Sequence, residues 1–258
     1  MGDQISIRDS SERSCESVTN GIEAAGLWRI PGADSEGGRT HFIGAEPFPL
    51  TNQQVDLLDK LGNTILAFYS AVNDLYLRAG ADWARAYLDI GKGEDIIRHA
   101  CMKYQRRVLP GVIRPDILIT ENGFVITELD SVPGGMGHLD CLSAAYAQAG
   151  FDLVGSARGM RDGFAAMLRD AAGVDDPVCA IVVSEESVDY LPEMVYLAGE
   201  LRKIGLRAHT VRPGDVTFTE DGLFIQPEEE RLRVDVVYRF FELFDLLNIP
   251  KSELIAYA

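Results

Sequence analysis

The chain predicts a mixed α/β fold of the α+β type, and three stretches carry that prediction. A helical stripe begins at Thr51, a charged hairpin pattern runs from Arg114 to Asp130, and an unbroken apolar run spans Val178 to Val183. Apolar residues at three- and four-residue spacing bury one face of a helix. An unbroken apolar run of strand length suits a parallel strand covered on both faces.

Composition narrows the function. With 258 residues and 47% hydrophobic content, the chain has the material for one large domain or two small ones. It carries 24 Lys and Arg against 40 Asp and Glu, a formal net charge of -16. Such a surface repels nucleic acid and anionic membrane, so neither is expected as a partner, although a local cationic pocket for an anion is compatible with it. Cys15, Cys101, Cys141 and Cys179 form no CxxC pair and no zinc spacing, as expected of free thiols in a reducing, cytoplasmic setting. The first residues, with Asp3, Arg8, Asp9, Glu12 and Arg13, contain no apolar h-region, so no secretory signal is expected. No run approaches the roughly 18 apolar residues of a membrane span.

In chain order, residues 1–20 are polar and serine-rich and read as a loose end. Between 21 and 50, Gly37-Gly38 and Pro47-Phe48-Pro49 mark loops, with Trp28, Phe42 and Phe48 expected to dock on a core. Thr51 caps a helix whose stripe is Val55, Leu58, Leu61, Ile65, Phe68, Val72 and Leu75, ending near Arg78 and Gly80. Shorter helices are expected over 82–88 and 93–104, where His99 reads as a partly buried helix residue. Two more are expected over 139–150 and 155–172. After the Val178–Val183 strand, a helix over 189–204 is capped by Gly205 and followed by a strand over 207–211. This strand–helix–strand unit is Rossmann-like in pattern, but no GxGxxG follows its first strand, so a dinucleotide site is not supported. Asp221-Gly222 signals a second hairpin. A strand is expected over 234–240 after a charged turn at 228–233, and Ser252 opens a short helix.

The hairpin at 114–130 carries the chemistry. It sets Arg114, Asp116, Glu128 and Asp130 into two apolar strands, and charge in such a place needs a partner. Two registers compete. A two-residue Asn122-Gly123 turn pairs Asp116 with Leu129. A three-residue loop with a left-handed Gly123 pairs Asp116 with Glu128 and Arg114 with Asp130. Only the second gathers the four charges on one face, with Ile117, Ile119, Val125 and Thr127 on the other, and it is the register expected here. Three neighbouring carboxylates need cations, and magnesium is held by such oxygen ligands together with substrate phosphates. The face therefore suits a Mg-nucleotide site, with Arg114 against phosphate or a developing oxyanion and the Ser131–Gly135 loop approaching a ligand with its backbone amides. By charge pattern alone, the same face equally describes a solvated ribbon with cross-strand ion pairs.

Arg-x-Asp, then Glu twelve residues after that Asp, then a further carboxylate and a Pro/Gly loop, resembles the circularly permuted ATP-grasp ligases of the glutathionylspermidine synthetase kind. The likeness extends more weakly through Ala198, Leu201, Gly205 and the strand Val234–Arg239, and covers roughly 110–258. The resemblance implies a partial ATP-grasp-like antiparallel sheet with helices over 21–176, a Rossmann-like pre-ATP-grasp domain over 177–247, and the start of a truncated segment at 248–258. It also implies ATP and Mg2+ as cofactors, with Asp116, Glu128 and Asp130 on the metal. Arg114 would stabilise the transferring phosphate, and Asp116, Ser131, Gly134 and Gly135 would line the nucleotide or substrate. Asp130 departs from the usual Asn and adds negative charge. The family's phosphate-binding lysines follow the Rossmann-like unit, whereas here only Lys203 and Lys251 lie beyond His138. The resemblance thus implies an ATP-dependent carboxylate–amine ligase present as an incomplete chain, inactive alone, whose missing C-terminal ATP-grasp half is its partner. A non-catalytic binding module on the same scaffold is the alternative, and a Rossmann-like nucleotide binder built on 178–240 is a third reading. Glu185, Glu186, Tyr238, Arg239 and His138 are further candidates for substrate contact; His41 and His209 carry no signal.

Overall fold

Tertiary positions come from a computed structural model, which describes residues 16–23, 25–27, 43–121, 123–242, 248–249 and 251–256. Trp28, Phe42, His41 and Cys15 lie outside the described residues.

The central layer grows from the apolar run. Val178–Val183 forms strand β3, buried along its whole length. It lies between β4 (Arg207–Val211) and β8 (Val236–Phe240), both parallel to it. Alternation along β3 sends Cys179, Ile181 and Val183 to one core, with Phe164, Leu168, Met194, Leu197 and Leu201 of helices α5 (Gly159–Ala172) and α6 (Leu191–Lys203). Val178, Ala180 and Val182 face a second core with Val216, Ile225, Phe241, Ile249 and Ile255. Each of the Val, Ile, Leu, Met and Phe side chains contributes about 1.5–3 kcal/mol on burial, so β3 anchors both layers.

The second core is closed by an antiparallel sheet of β5 (Thr217–Thr219), β6 (Gly222–Ile225) and β7 (Leu232–Arg233), with helix α7 (Ser252–Ala256) beside it. The strand expected over 234–240 therefore starts at Val236, and the short strand β7 falls inside the charged turn expected over 228–233. Leu232 and Arg233 pair with β6, and Val236 onward pairs with β3. The handover is visible in hydrogen bonds: Val234 N donates to Leu223 O, and Asp235 N donates to Val178 O. Asp235 then accepts from Val178 N through its side chain, at 2.9 Å.

The N-terminal part is more open. Residues 16–20, expected to be loose, belong to a helix over 16–23 whose Val18 and Ile22 are buried with Leu27, Cys141 and Ala145. An apolar pair four residues apart is enough to dock one helical turn. Phe48 does not dock; it is 73% exposed. Helix α1 (Asn52–Leu77) starts with the expected Thr51, closed by a reciprocal pair in which Thr51 N donates to Gln54 and Gln54 N donates back to Thr51. Its stripe is shallowly covered: of its residues only Ile65 and Tyr76 are buried.

Helices α2 (Asp82–Leu88) and α3 (Glu94–Ala100) follow. The single helix expected over 93–104 stops at Cys101, which donates to the Tyr76 hydroxyl, and resumes as a separate 3-10 turn at Lys103–Arg107. Helix α4 (Met136–Gln148) starts three residues earlier than expected, because Gly135, at φ +87, ends the preceding loop in a left-handed conformation. No helix among the described residues is long and apolar enough to cross a membrane.

Candidate functional site

Strands β1 (Arg114–Thr120) and β2 (Gly123–Asp130) form a two-stranded ribbon separate from the other sheets. Arg114 pairs with Asp130 and Asp116 with Glu128, as expected. The route to that register differs. The closing pair is Thr120 with Gly123, so the loop is two residues long, and the shift of one residue occurs at a bulge between Asp116 and Ile117. Thr127 is the extra residue, and its hydroxyl donates to the Asp116 carbonyl at 3.2 Å. The bulge places Val125 opposite Leu118, on the charged face, and puts Ile126 opposite Ile117 and Phe124 opposite Ile119. Val125 and Thr127 are therefore not grouped with Ile117 and Ile119.

The second hairpin closes the same way, Thr219 pairing with Gly222. Both turns read Thr-Glu-Asn/Asp-Gly, with Gly at φ +127 and +128. In both, the Thr hydroxyl donates to the Gly carbonyl, at 3.0 and 3.3 Å.

Arg114 is the hub of the ribbon base. Its Nε is 3.2 Å from Asp116 Oδ1 and another nitrogen is 3.4 Å from Asp130 Oδ2. A third contact, at 3.4 Å, goes to the Gly134 carbonyl. One guanidinium therefore spans two carboxylates and the loop that follows, which its planar fork of donors permits. Asp130 also accepts from Val132 N at 2.9 Å and so starts the 131–135 loop. Glu128, paired beside Asp116, is exposed and makes no hydrogen bond or ion pair among the described residues. No group of three or more metal-ligating side chains is assembled among those residues.

The loop is held from outside the ribbon. Ser131 shares a 2.9 Å hydrogen bond with Tyr69 of α1. Gly134 lies against the Tyr190 ring, where an added Cβ would come within 2.2 Å of a ring carbon. Gly135 N donates to Glu193 Oε1 at 2.7 Å, and Gly137 N donates to Glu193 Oε2 at 3.1 Å. A carboxylate thus sits at the N-terminus of α4, where amides lack helical partners. His138 joins it through Nδ1 at 3.2 Å and reaches the Leu27 carbonyl through Nε2 at 2.8 Å. The Glu193 bond raises the affinity of His138 for its proton, against the opposing effect of burial.

Beside this loop, the Tyr238 hydroxyl is buried with no hydrogen-bond partner among the described residues. Burial first, and then the nearby carboxylates of Asp130 and Glu193, push its pKa up. Arg239, next along β8, lies over the Phe241 ring at 5.5 Å, and burial lowers its pKa. It stands at the carboxyl end of the parallel sheet, the end where such sheets place ligands. At the same end, exposed Glu185 pairs with Arg212 at 3.3 Å.

Of the sequence-predicted site residues, Arg114, Asp116, Asp130 and Gly134 are brought into contact. Glu128 is adjacent by register, Ser131 turns to Tyr69, and the Gly135 amide is engaged by Glu193. Sequence reasoning missed Glu193 itself, which is 1% exposed. It also missed the interhelical cluster in which Arg161 grips Asp140 at 2.6 Å and Glu200 at 2.7 Å. A signal was present: Glu193, Leu197 and Glu200 share one helical stripe, and a carboxylate on an apolar stripe asks for a partner.

No protein-family model matches the chain, and no curated protein does. Among solved structures, it is similar to a glutathione synthetase-like effector from Globodera pallida in the apo form, with a TM-score of 0.56 and 13% sequence identity. The match covers 99% of this chain and 64% of that one, so the chain spans about two thirds of its neighbour's length. At that identity the likeness concerns the fold, an α+β scaffold.

Proposed function

We propose that the chain is the metal-binding part of an ATP-dependent carboxylate–amine ligase of the circularly permuted ATP-grasp kind. In such a reaction, ATP phosphorylates a carboxylate to give ADP and an acyl phosphate. The amine then attacks the acyl carbon and phosphate leaves. The observation that carries this reading is the β1–β2 register, which puts Arg114, Asp116, Glu128 and Asp130 on one face at the mouth of the 131–135 loop. The scaffold of the glutathione synthetase-like neighbour is consistent with it.

In this reading Asp116, Glu128 and Asp130 would supply the hard oxygen donors that Mg2+ prefers; Glu128 is unengaged among the described residues, whereas Asp116 and Asp130 are shared with Arg114. When bound, the ion would supply charge neutralisation to the phosphates. In this reading Arg114 would add its own positive charge on the same face, and the 131–135 loop would border the reacting groups. Half-buried Arg239 is suited to a substrate carboxylate.

The lysines beyond His138 are already in use. Lys203 pairs with Glu200, and Lys251 donates to the Gly214 and Val216 carbonyls. The same observation favours a second reading, a non-catalytic binding module in which Arg114 merely neutralises Asp116 and Asp130.

Calorimetry with Mg-ATP on wild type and Glu128→Ala separates the two. Under the ligase reading, Mg2+-dependent binding falls at least about tenfold on loss of a ligand, with the fold unaltered because Glu128 is exposed. No Mg2+-dependent binding, or equal binding by both proteins, would leave the binding-module reading.

A further inference from the structure

We propose that His138, as an imidazolium, is a positioning residue that ties the N-terminal segment 25–27 to the site loop through Glu193. The inference is separate from the ligase reading and stands on two acceptors facing one ring. Nε2 lies 2.8 Å from the Leu27 carbonyl, which can only accept, so this nitrogen carries a proton. Nδ1 lies 3.2 Å from Glu193 Oε2. That carboxylate accepts the Gly135 amide on one oxygen and the Gly137 amide on the other, which is the behaviour of an ionised group. Acceptors at both ring nitrogens call for two ring protons.

The pairing also answers a cost. Glu193 is 1% exposed, and a buried carboxylate needs a counter-charge as well as hydrogen bonds. Among the described residues, Glu193 of α6 is the charged group that faces the ring. On α4 itself, Asp140 is taken by Arg161 and Tyr196. Glu16 and Glu23 of the 16–23 helix are exposed. From β8, Tyr238 lies near Glu193 and adds no positive charge.

A neutral ring has one N–H and serves one acceptor at a time. Raising the pH therefore releases either Leu27 or Glu193. The folded ring holds its proton above the ordinary value of 6.5. Its contribution to order is thus fully present below 6.5 and fades as pH rises through the folded value.

The test follows the ring by nitrogen-15 NMR from about pH 5 to about pH 9, in wild type, Glu193→Gln and His138→Gln. Hydrogen exchange of residues 16–27 and of the Gly135 and Gly137 amides is measured on the same samples, corrected for intrinsic rates. We expect both ring nitrogens to be protonated at about pH 6, with a midpoint above 6.5 that drops in Glu193→Gln. Protection of 16–27 should fall at least about tenfold through that midpoint in wild type. His138→Gln, whose amide keeps its protons at every pH, should show no such step. A singly protonated ring at about pH 6, or the same step in His138→Gln, overturns the proposal. Should Glu193→Gln fail to fold, the wild-type titration and His138→Gln decide the matter.

Discussion

Gly137→Ala turns on a conflict of signs. Gly137 is the second residue of α4, in helical conformation, so by propensity alone alanine should stabilise the helix by about 0.5–1 kcal/mol. Its surroundings oppose this. An added Cβ would meet the Glu193 carbonyl oxygen at 2.5 Å, the Glu193 Cβ at 2.8 Å and the carbonyl carbon at 3.0 Å. These atoms belong to the α6 backbone and its first side-chain carbon, so no rotamer change relieves the contact. The helices must part, and parting them stretches the amide bonds that Glu193 accepts from Gly135 and Gly137. Overpacking of this kind costs about 1–3 kcal/mol, and weakened bonds to a charged group add to it.

After the propensity gain, a net loss of about 2 kcal/mol is expected, a fall in melting temperature of roughly 4–8 °C for a chain of this size. Gly163→Ala is the control. It lies in the neighbouring helix α5 with nothing within 4 Å of an added Cβ, and should gain about 0.4–1 kcal/mol. Thermal and urea unfolding followed by far-UV circular dichroism measure both. A Gly137→Ala protein as stable as wild type, or more so, would refute the close approach of α4 and α6.

Two further outcomes concern buried charge and buried thiol. Arg161→Met leaves Asp140, fully buried, and Glu200 without their shared cation, and should destabilise by about 3–5 kcal/mol in urea unfolding, partly recovered in Arg161→Met/Asp140→Asn. Burial pushes the Cys179 thiol up from an ordinary 9.0 to about 12. The unfolded thiol ionises first, so stability is full below 9.0 and falls as pH rises toward 12, by at most about 1.4 kcal/mol per pH unit. Cys179→Ala should flatten that alkaline slope, and an unchanged slope would place its cause elsewhere.

Much of the scaffold is legible in residue order. β3, β4 and α2 fall where patterning puts them, since an apolar run or stripe leaves few ways to be buried. Thr51 and Gln54 announce their own cap because the bonds join residues three apart. The ribbon was half legible. Pairing of charge with charge identified Arg114–Asp130 and Asp116–Glu128, but the one-residue shift was assigned to the turn when a bulge at Thr127 makes it. Turn and bulge give the same pairs at the ribbon base, and only the backbone distinguishes them.

By itself, then, the sequence determined most of the elements and the charged face of the ribbon, because each follows from the spacing of neighbours along the chain. Tertiary structure alone decided what holds the glycine loop. Glu193 lies 58 residues from the Gly135 amide it accepts, and Tyr69 lies 62 residues from Ser131. No local period encodes such pairings. They arise because α4 packs on α6 closely enough that Gly137 has no room for a side chain, and that closeness delivers a buried carboxylate to the start of α4.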